Sequence, residues 1–215
     1  MTQYIVIMGA GSGERMGDNI PKQFLDINGL PLIIHTYNQV KKIKDTNVTI
    51  VLPFEKFSHW KSIIKKYVNK DVNIISGGNT RKQSVTLGIE SIRNKNGFVA
   101  IHDGVRPLAT SHLFEKLFLS AKKYGNAVPF IKSINSLRKI DGKRNQALDR
   151  EKIVQIQTPQ VFKINQIIEC LDKSENENFT DEASLLEKFG FSINLVEGEE
   201  GNIKITTKKD LNYIL

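Results

Sequence analysis

Near the start of the chain, Gly9, Gly11 and Gly13 alternate within MGAGSGERMG (residues 8–17), with Arg15 close behind and Lys22 following in PKQF. Glycines leave backbone N–H groups open to an approaching anion, and a strand-to-helix turn aims those groups and the helix dipole at phosphate. Two cations brought to the same place suit a reaction in which negative charge builds on phosphorus, as in nucleotidyl transfer. A plain glycine-rich turn with two surface cations is the simpler reading of the same residues. The spacing excludes two known phosphate loops. No Gly-Lys-Ser/Thr occurs, so there is no P-loop. The dinucleotide fingerprint also fails, because its last glycine would fall on Glu14 or Met16.

Other polar stretches sit where strands should end. In SGGNTRKQS (residues 76–84), Gly77 and Gly78 let a flat base approach the backbone, and Ser84 or the Asn79 side chain could read its edge. A turn with a helix cap explains that stretch equally well. IHDGVRP sets Asp103 just beyond an apolar strand, with Arg106 three residues on. An acid among phosphate-binding cations holds Mg²⁺ or a sugar hydroxyl. His102 reads as a satisfied core histidine. In QTPQVF, Thr158-Pro159 predicts an extended turn closing a strand. FTDEAS predicts a helix capped by Thr180, with Asp181 and Glu182 in its first turn. EGEEGNIKIT carries Lys204 into a strand-like stretch, where it could simply alternate outwards.

These residues need a frame, and the hydrophobic pattern supplies one. YIVIM, VTIVLP, VNIIS, FVAIHD, NAVPF, VQIQT and INLVEG are short runs with strand character. Between them, LIIHTYNQVKKI, FSHWKSIIKKYV, KQSVTLGIESIR, SHLFEKLFLSAKKY, INQIIECL and DEASLLEKFG repeat apolar residues at helical steps. Val85, Ile89 and Ile92 share one helix face, as do Leu113, Leu117 and Ala121. Alternating helices and wholly apolar strands predict a Rossmann-like α/β fold, a mostly parallel sheet covered by helices on both faces. Residues 1–215 read as a single domain. One segment, residues 132–152, breaks the pattern: it is polar, with Asp141-Gly142 as a hairpin signal. A lone hairpin needs something to pack on; it is either a surface excursion or an arm embracing a second subunit. Thr207 and Asp210 have the spacing of a capping box opening a closing helix.

Composition narrows the partners. The net charge is +8, but the lysines are scattered in pairs without interleaved aromatics, which argues against nucleic acid and leaves an anionic substrate. No run approaches the roughly 18 apolar residues of a membrane span, and no signal-peptide pattern precedes the first strand, so a cytoplasmic protein is expected. The single cysteine, Cys170, excludes an internal disulfide, and the four histidines lack metal-ligand spacing.

Taken together, IVIMGAGSGERMG, PKQF, GGNTRKQSV, HDGVRP, QTPQVF, FTDEAS and LVEGEEGNIKITT resemble the 2-C-methyl-D-erythritol 4-phosphate cytidylyltransferase family over nearly the whole chain. The ribitol-5-phosphate cytidylyltransferases share much of the pattern, but FTDEAS with LDREKIVQIQTPQ looks more like the methylerythritol enzymes. The resemblance implies transfer of CMP from CTP to methylerythritol phosphate, with Mg²⁺ held mainly by the CTP phosphates and Asp103 a possible ligand. It implies that Arg15, Lys22, Arg150 and Lys204 form the catalytic set. Gly9, Ala10, Gly11 and Gly13 would wrap the triphosphate, and Gly78, Asn79 and Ser84 would read cytosine. Asp103, Arg106, Ser136 and Thr180 would contact the acceptor. It further implies a homodimer with crossed arms, in which Arg150 reaches the neighbour's acceptor phosphate. Two positions depart from the common pattern: Asn79 replaces an acid, and Ser136 stands where the arm usually carries Thr. With the chain ending after its closing helix, no fused second enzyme is expected. An NAD-type oxidoreductase and a nucleic-acid-binding protein remain as less supported classes.

Overall fold

The computed structural model describes residues 1–11, 20–174 and 179–214. The first strand, β1 (Thr2–Met8), is followed by a 3-10 turn (Lys22–Phe24) and a small ribbon of β2 (Asp26–Ile27) and β3 (Leu30–Pro31). There follow α1 (Leu32–Val40), β4 (Thr46–Leu52), α2 (Phe57–Ile64), β5 (Asn73–Ser76), α3 (Arg81–Glu90) and β6 (Gly97–Asp103). Next come α4 (Ser111–Tyr124), β7 (Asn126–Lys132), β8 (Leu137–Asp141), β9 (Arg144–Leu148), β10 (Val154–Ile156) and β11 (Gln160–Lys163). The chain closes with α5 (Ile164–Lys173), α6 (Glu182–Lys188), β12 (Leu195–Glu197) and a 3-10 helix (Lys208–Tyr213).

The main sheet has the order β10-β7-β11-β6-β1-β4-β5, with β12 also paired to β7. From β6 through β1 and β4 to β5 the strands are parallel. Because β1 alternates, its neighbours bury both faces. Ile5 and Ile7 pack with Ile50, Leu52, Ile33 of α1, Trp60 of α2 and Phe114 of α4. Val6 turns the other way, towards Val51, Val99, Val85 of α3, Ile167 of α5 and Leu185 of α6. The helix faces expected from sequence are the buried ones: Val85, Ile89 and Ile92 lie in one core, Leu113, Leu117 and Ala121 in the other.

Three expectations are corrected. QTPQVF does not merely close a strand: after the cis Thr158-Pro159 bond, Gln160–Lys163 forms β11, an antiparallel strand between β6 and β7. Its short apolar stretch runs straight into α5, so no periodicity separated the two. The cap of α6 is Asp181, whose side chain accepts from Ser184 N–H, not Thr180. The closing helix has the expected Thr207–Asp210 capping box but is 3-10 in kind.

The hairpin is present as its own two-stranded sheet, β8 with β9, in register from Leu137↔Leu148 to Asp141↔Arg144. Its two-residue loop is Gly142-Lys143, one step later than Asp141-Gly142 suggested, and Gly142 takes the positive φ of 57° that the first loop position requires.

Candidate active site

Chain order sets the location. From β1 the chain crosses to β4 and then β5 on one side, while β6 lies on the other side of β1. The direction of winding reverses between β1 and β6, and open α/β sheets bind ligands outside the strand ends at such a point. Met8 and Asp103 are paired neighbours there. An open cleft of about 710 Å³ lies over these ends, lined by residues 8–11, Lys22, residues 78–81, Ser84, Asp103 and Lys204 among others.

One side of the cleft is backbone-rich. Gly9 N–H donates to Val51 O at 2.8 Å, so the first glycine sits tight on β4. Gln23, wholly buried, donates from its amide to the carbonyls of Gly9 (2.6 Å) and Gly11 (2.8 Å). Next to it, Phe24 stacks on Trp60 at 4.0 Å between centroids. Together these hold the 3-10 turn that carries Lys22. Opposite, the Thr80 hydroxyl accepts from Gln83 N–H and the Gln83 side chain accepts from Thr80 N–H, a full capping box at the start of α3. Gly77 presses against Ala10: a Cβ there would fall 2.6 Å from Ala10 Cβ and 2.8 Å from Ser84 Oγ. Ser84 is buried beneath this loop, accepting from Gly78 N–H at 3.1 Å and donating to Thr80 O at 2.9 Å. Its hydroxyl therefore shapes the loop, while Gly78 and the exposed Asn79 face the cleft.

The other side is a charge cluster around Asp103. One carboxylate oxygen accepts from Lys204 Nζ (2.9 Å) and Arg106 Nε (3.3 Å), and the other faces Arg81 Nη1 (3.4 Å). Burial would push this carboxyl up, but Lys204, Arg81 and Arg106 hold it well below the usual carboxylate range. Arg81 also grips Glu182 with Nε and Nη2, at 3.1 and 2.9 Å. Burial pushes the Glu182 carboxyl up and the Arg81 pair pulls against it.

Behind the cluster stands a buried amide and hydroxyl network. Thr158 Oγ1 accepts from Asp103 N–H at 3.0 Å and lies 3.1 Å from His102 Nδ1. His102 Nε2 lies 3.2 Å from the Arg106 carbonyl, which can only accept, so Nε2 carries the proton and Thr158 donates to Nδ1. Burial lowers His102 to about 4, so the ring is neutral, as a core histidine should be. Gln157 and Asn202 tie β10's exit to the 199–202 turn, and Asn202 O accepts from Arg106 Nη1 at 2.8 Å. Ile205 N–H donates to Val105 O, which fixes Lys204 beside the cluster. Lys204 thus points at Asp103 and not outwards as a strand alternation would have it.

The expected residues separate into groups. Gly9, Ala10, Gly11, Lys22, Gly78, Asn79, Ser84, Asp103 and Lys204 line the cleft together. Arg106 lies behind Asp103 as its buried counter-ion. Arg15 and Gly13 lie outside the described residues. Thr180 is exposed just before α6. Ser136 and Arg150 are on the exposed hairpin segment, where Arg150 donates to Ile134 O (2.7 Å) and pairs with Glu151 (3.3 Å). Sequence reasoning missed Gln23, Arg81 and Glu182; Gln23 sat inside PKQF, Arg81 inside GGNTRKQS and Glu182 inside FTDEAS, each read only for its neighbours or as a helix start.

The IspD family model, described as 2-C-methyl-D-erythritol 4-phosphate cytidylyltransferase, matches residues 3–214. A protein of that name from Azobacteroides pseudotrichonymphae genomovar. CFP2 is 37% identical over 213 residues, covering 98% of this chain and 96% of the relative. Another, from Porphyromonas gingivalis, is 36% identical over 212 residues, covering 98% and 95%. The crystal structure of the Francisella tularensis 2-C-methyl-D-erythritol 4-phosphate cytidylyltransferase superposes with a TM-score of 0.85 at 27% identity, covering 100% of this chain and 98% of that one.

Proposed function

The chain belongs to the 2-C-methyl-D-erythritol 4-phosphate cytidylyltransferase family, and on that premise we propose that it transfers CMP from CTP to 2-C-methyl-D-erythritol 4-phosphate, releasing pyrophosphate. The observation that carries the reading is the two-sided cleft. A glycine-lined backbone wall with Lys22 faces a wall of Asp103 and Lys204 across the β1–β6 switch point. The first wall suits a nucleoside triphosphate. The second suits a polyol phosphate, offering an acceptor for hydroxyls and cations for the phosphate.

The reaction joins an acceptor phosphate oxygen to the α-phosphorus of CTP and breaks the bond to the β-phosphate, whose oxygen leaves with the electron pair as pyrophosphate. A phosphate monoester oxygen is already nucleophilic at neutral pH, so no general base is required, and the neutral His102 is in keeping with that. The difficulty is charge: two anions must meet, and more negative charge gathers between them. Lys22 and Arg15 take the triphosphate side in this reading. Lys204 orients the attacking phosphate from the other side. Gly78, Asn79 and the loop held by Ser84 receive the cytosine.

Mg²⁺ belongs to the proposal as the counter-ion of CTP. Among the described residues no group of three His, Cys, Asp or Glu side chains could hold a metal. Asp103 is already bonded by three cations, which fits a metal carried by phosphates and water better than one caged by the protein. No step is assigned to the ion.

The proposal extends to a homodimer. The hairpin of residues 137–148 makes no ladder with the main sheet and exposes Ile140, with Ile134 exposed at its base. An isolated hairpin with apolar residues facing water is unstable without a partner; a second copy supplies one and receives Arg150 and Ser136 at its acceptor side. Among the described residues no helix is long and apolar enough to cross a membrane, and the proposed setting is the cytoplasm, without a nucleic-acid or membrane partner.

Pyrophosphate release from CTP and Mg²⁺ tests the reading, with methylerythritol phosphate and ribitol 5-phosphate assayed side by side. Turnover with the first alone is expected. Turnover with the second alone would move the chain to the other acceptor.

A further inference from the structure

Glu182 is the most deeply buried charged side chain near the cleft, with no exposed surface, and capping does not account for it. The N-terminus of α6 is already closed by Asp181, and by Gln160 of β11, which accepts from Ala183 N–H and donates to Asp181. Its partner Arg81 is no better explained by local structure. A cation in the first turn of α3 is opposed by the helix dipole. Nor is stability a sufficient reason for the pair, since buried ion pairs are often replaceable by apolar residues without loss.

What the pair does is geometric. Glu182 takes two of Arg81's five donors in a fork, which fixes the plane of the guanidinium. The same plane brings Nη1 to Asp103 Oδ1, leaving Oδ2 to Arg106 and Lys204. We propose that Glu182 is a positioning residue for the reaction: by clamping Arg81 it fixes the rotation of the Asp103 carboxylate, and through Asp103 the place of the Lys204 ammonium. Without that clamp, Asp103 loses its hold at Oδ1 and turns both oxygens to Arg106 and Lys204. Lys204 is then drawn in and its charge quenched, on the cleft wall away from the glycine loop. The effect therefore falls on the second substrate and spares CTP.

This inference rests on the proposed reaction, so the wild-type chain is assayed first with CTP, Mg²⁺ and methylerythritol phosphate; silence there would overturn that reading and this one with it. With an active wild type, Glu182→Gln keeps the size of the side chain but removes its charge. The expected result is a rise of roughly tenfold or more in the acceptor KM together with a fall in kcat, with the CTP KM within about twofold. Arg81→Lys is the second variant, on a partly exposed side chain, and carries the test if Glu182→Gln does not fold. It keeps the charge, but one ammonium cannot hold a carboxylate fork and reach Asp103 as well, so the same selective rise is expected. An unchanged acceptor KM, or equal rises for both substrates, in the variant that folds would overturn the proposal, as would full recovery of wild-type kinetics in Arg81→Lys.

Discussion

Lys204 Nζ lies 2.9 Å from Asp103 Oδ2, with the lysine side chain 41% exposed and the aspartate only 8%. The ammonium is thus anchored at one end in a buried carboxylate and open to the cleft at the other. Its place is set by Ile205, whose N–H donates to Val105 O just past Asp103. In the proposed reaction a cation held this way meets the acceptor phosphate without having to be ordered at that moment.

Lys204→Ala should therefore lower kcat by about 10²–10³, the scale for losing one preorganised charge partner. Steady-state pyrophosphate release measures it. A loss below tenfold would leave Lys204 as a mere counter-ion of Asp103.

The glycine wall gives a prediction with the opposite selectivity. A methyl group on Gly77 has no room against Ala10 Cβ, Ser84 Oγ and the Leu52 carbonyl. Gly77→Ala should force the 77–80 loop away from the β1 exit and raise the CTP KM by about tenfold or more, with the acceptor KM little changed. Equal loss for both substrates would show that the two walls are not independent.

His102 sets a pH dependence of stability and not of catalysis. Burial lowers its folded-state pKa to about 4, against about 6.5 unfolded. Between those values the unfolded chain binds a proton that the folded chain refuses, so stability falls as pH drops from about 6.5 towards 4 and this contribution levels off below. Tm measured against pH should be flatter for His102→Gln over that window. The ratio of its kcat to wild type should stay constant from about pH 6 to 8, because the proposed reaction assigns His102 no proton transfer.

The dimer proposal is tested by mixing two inactive chains. Lys22→Ala removes a cation from its own subunit's cleft and should cost about 10²–10³ in kcat. Arg150→Ala removes one from the arm. If each arm completes the partner's cleft, half the dimers in an equal mixture are mixed and each has one intact site. Activity should then recover to about a quarter of wild type once subunits exchange. No recovery would place Arg150 in its own subunit's site or outside any site.

The α/β class, the positions of six helices and most strands, and the loops on which chemistry would gather are all legible in the sequence. The reason is local: apolar periodicity of two or 3.6, glycine, and capping residues are properties of short stretches. It also placed Asp103 and Lys204 on separate islands about a hundred residues apart, each with a bland explanation of its own. That Lys204 ends beside Asp103 was decided by the small core of Ile27, Leu32, Val105 and Ile205, which no single stretch contains. The antiparallel β11 escaped notice because four residues between a proline and a helix carry no periodic signal. Glu182 read as a helix-start acid for a similar reason: the first turn of any helix favours one, and only the tertiary structure, which packs α6 on α5 and α5 on α3, brings that carboxylate onto Arg81. Residue types come from the chain; which charge faces which is settled by burial, where an unpaired ion is too costly to leave alone.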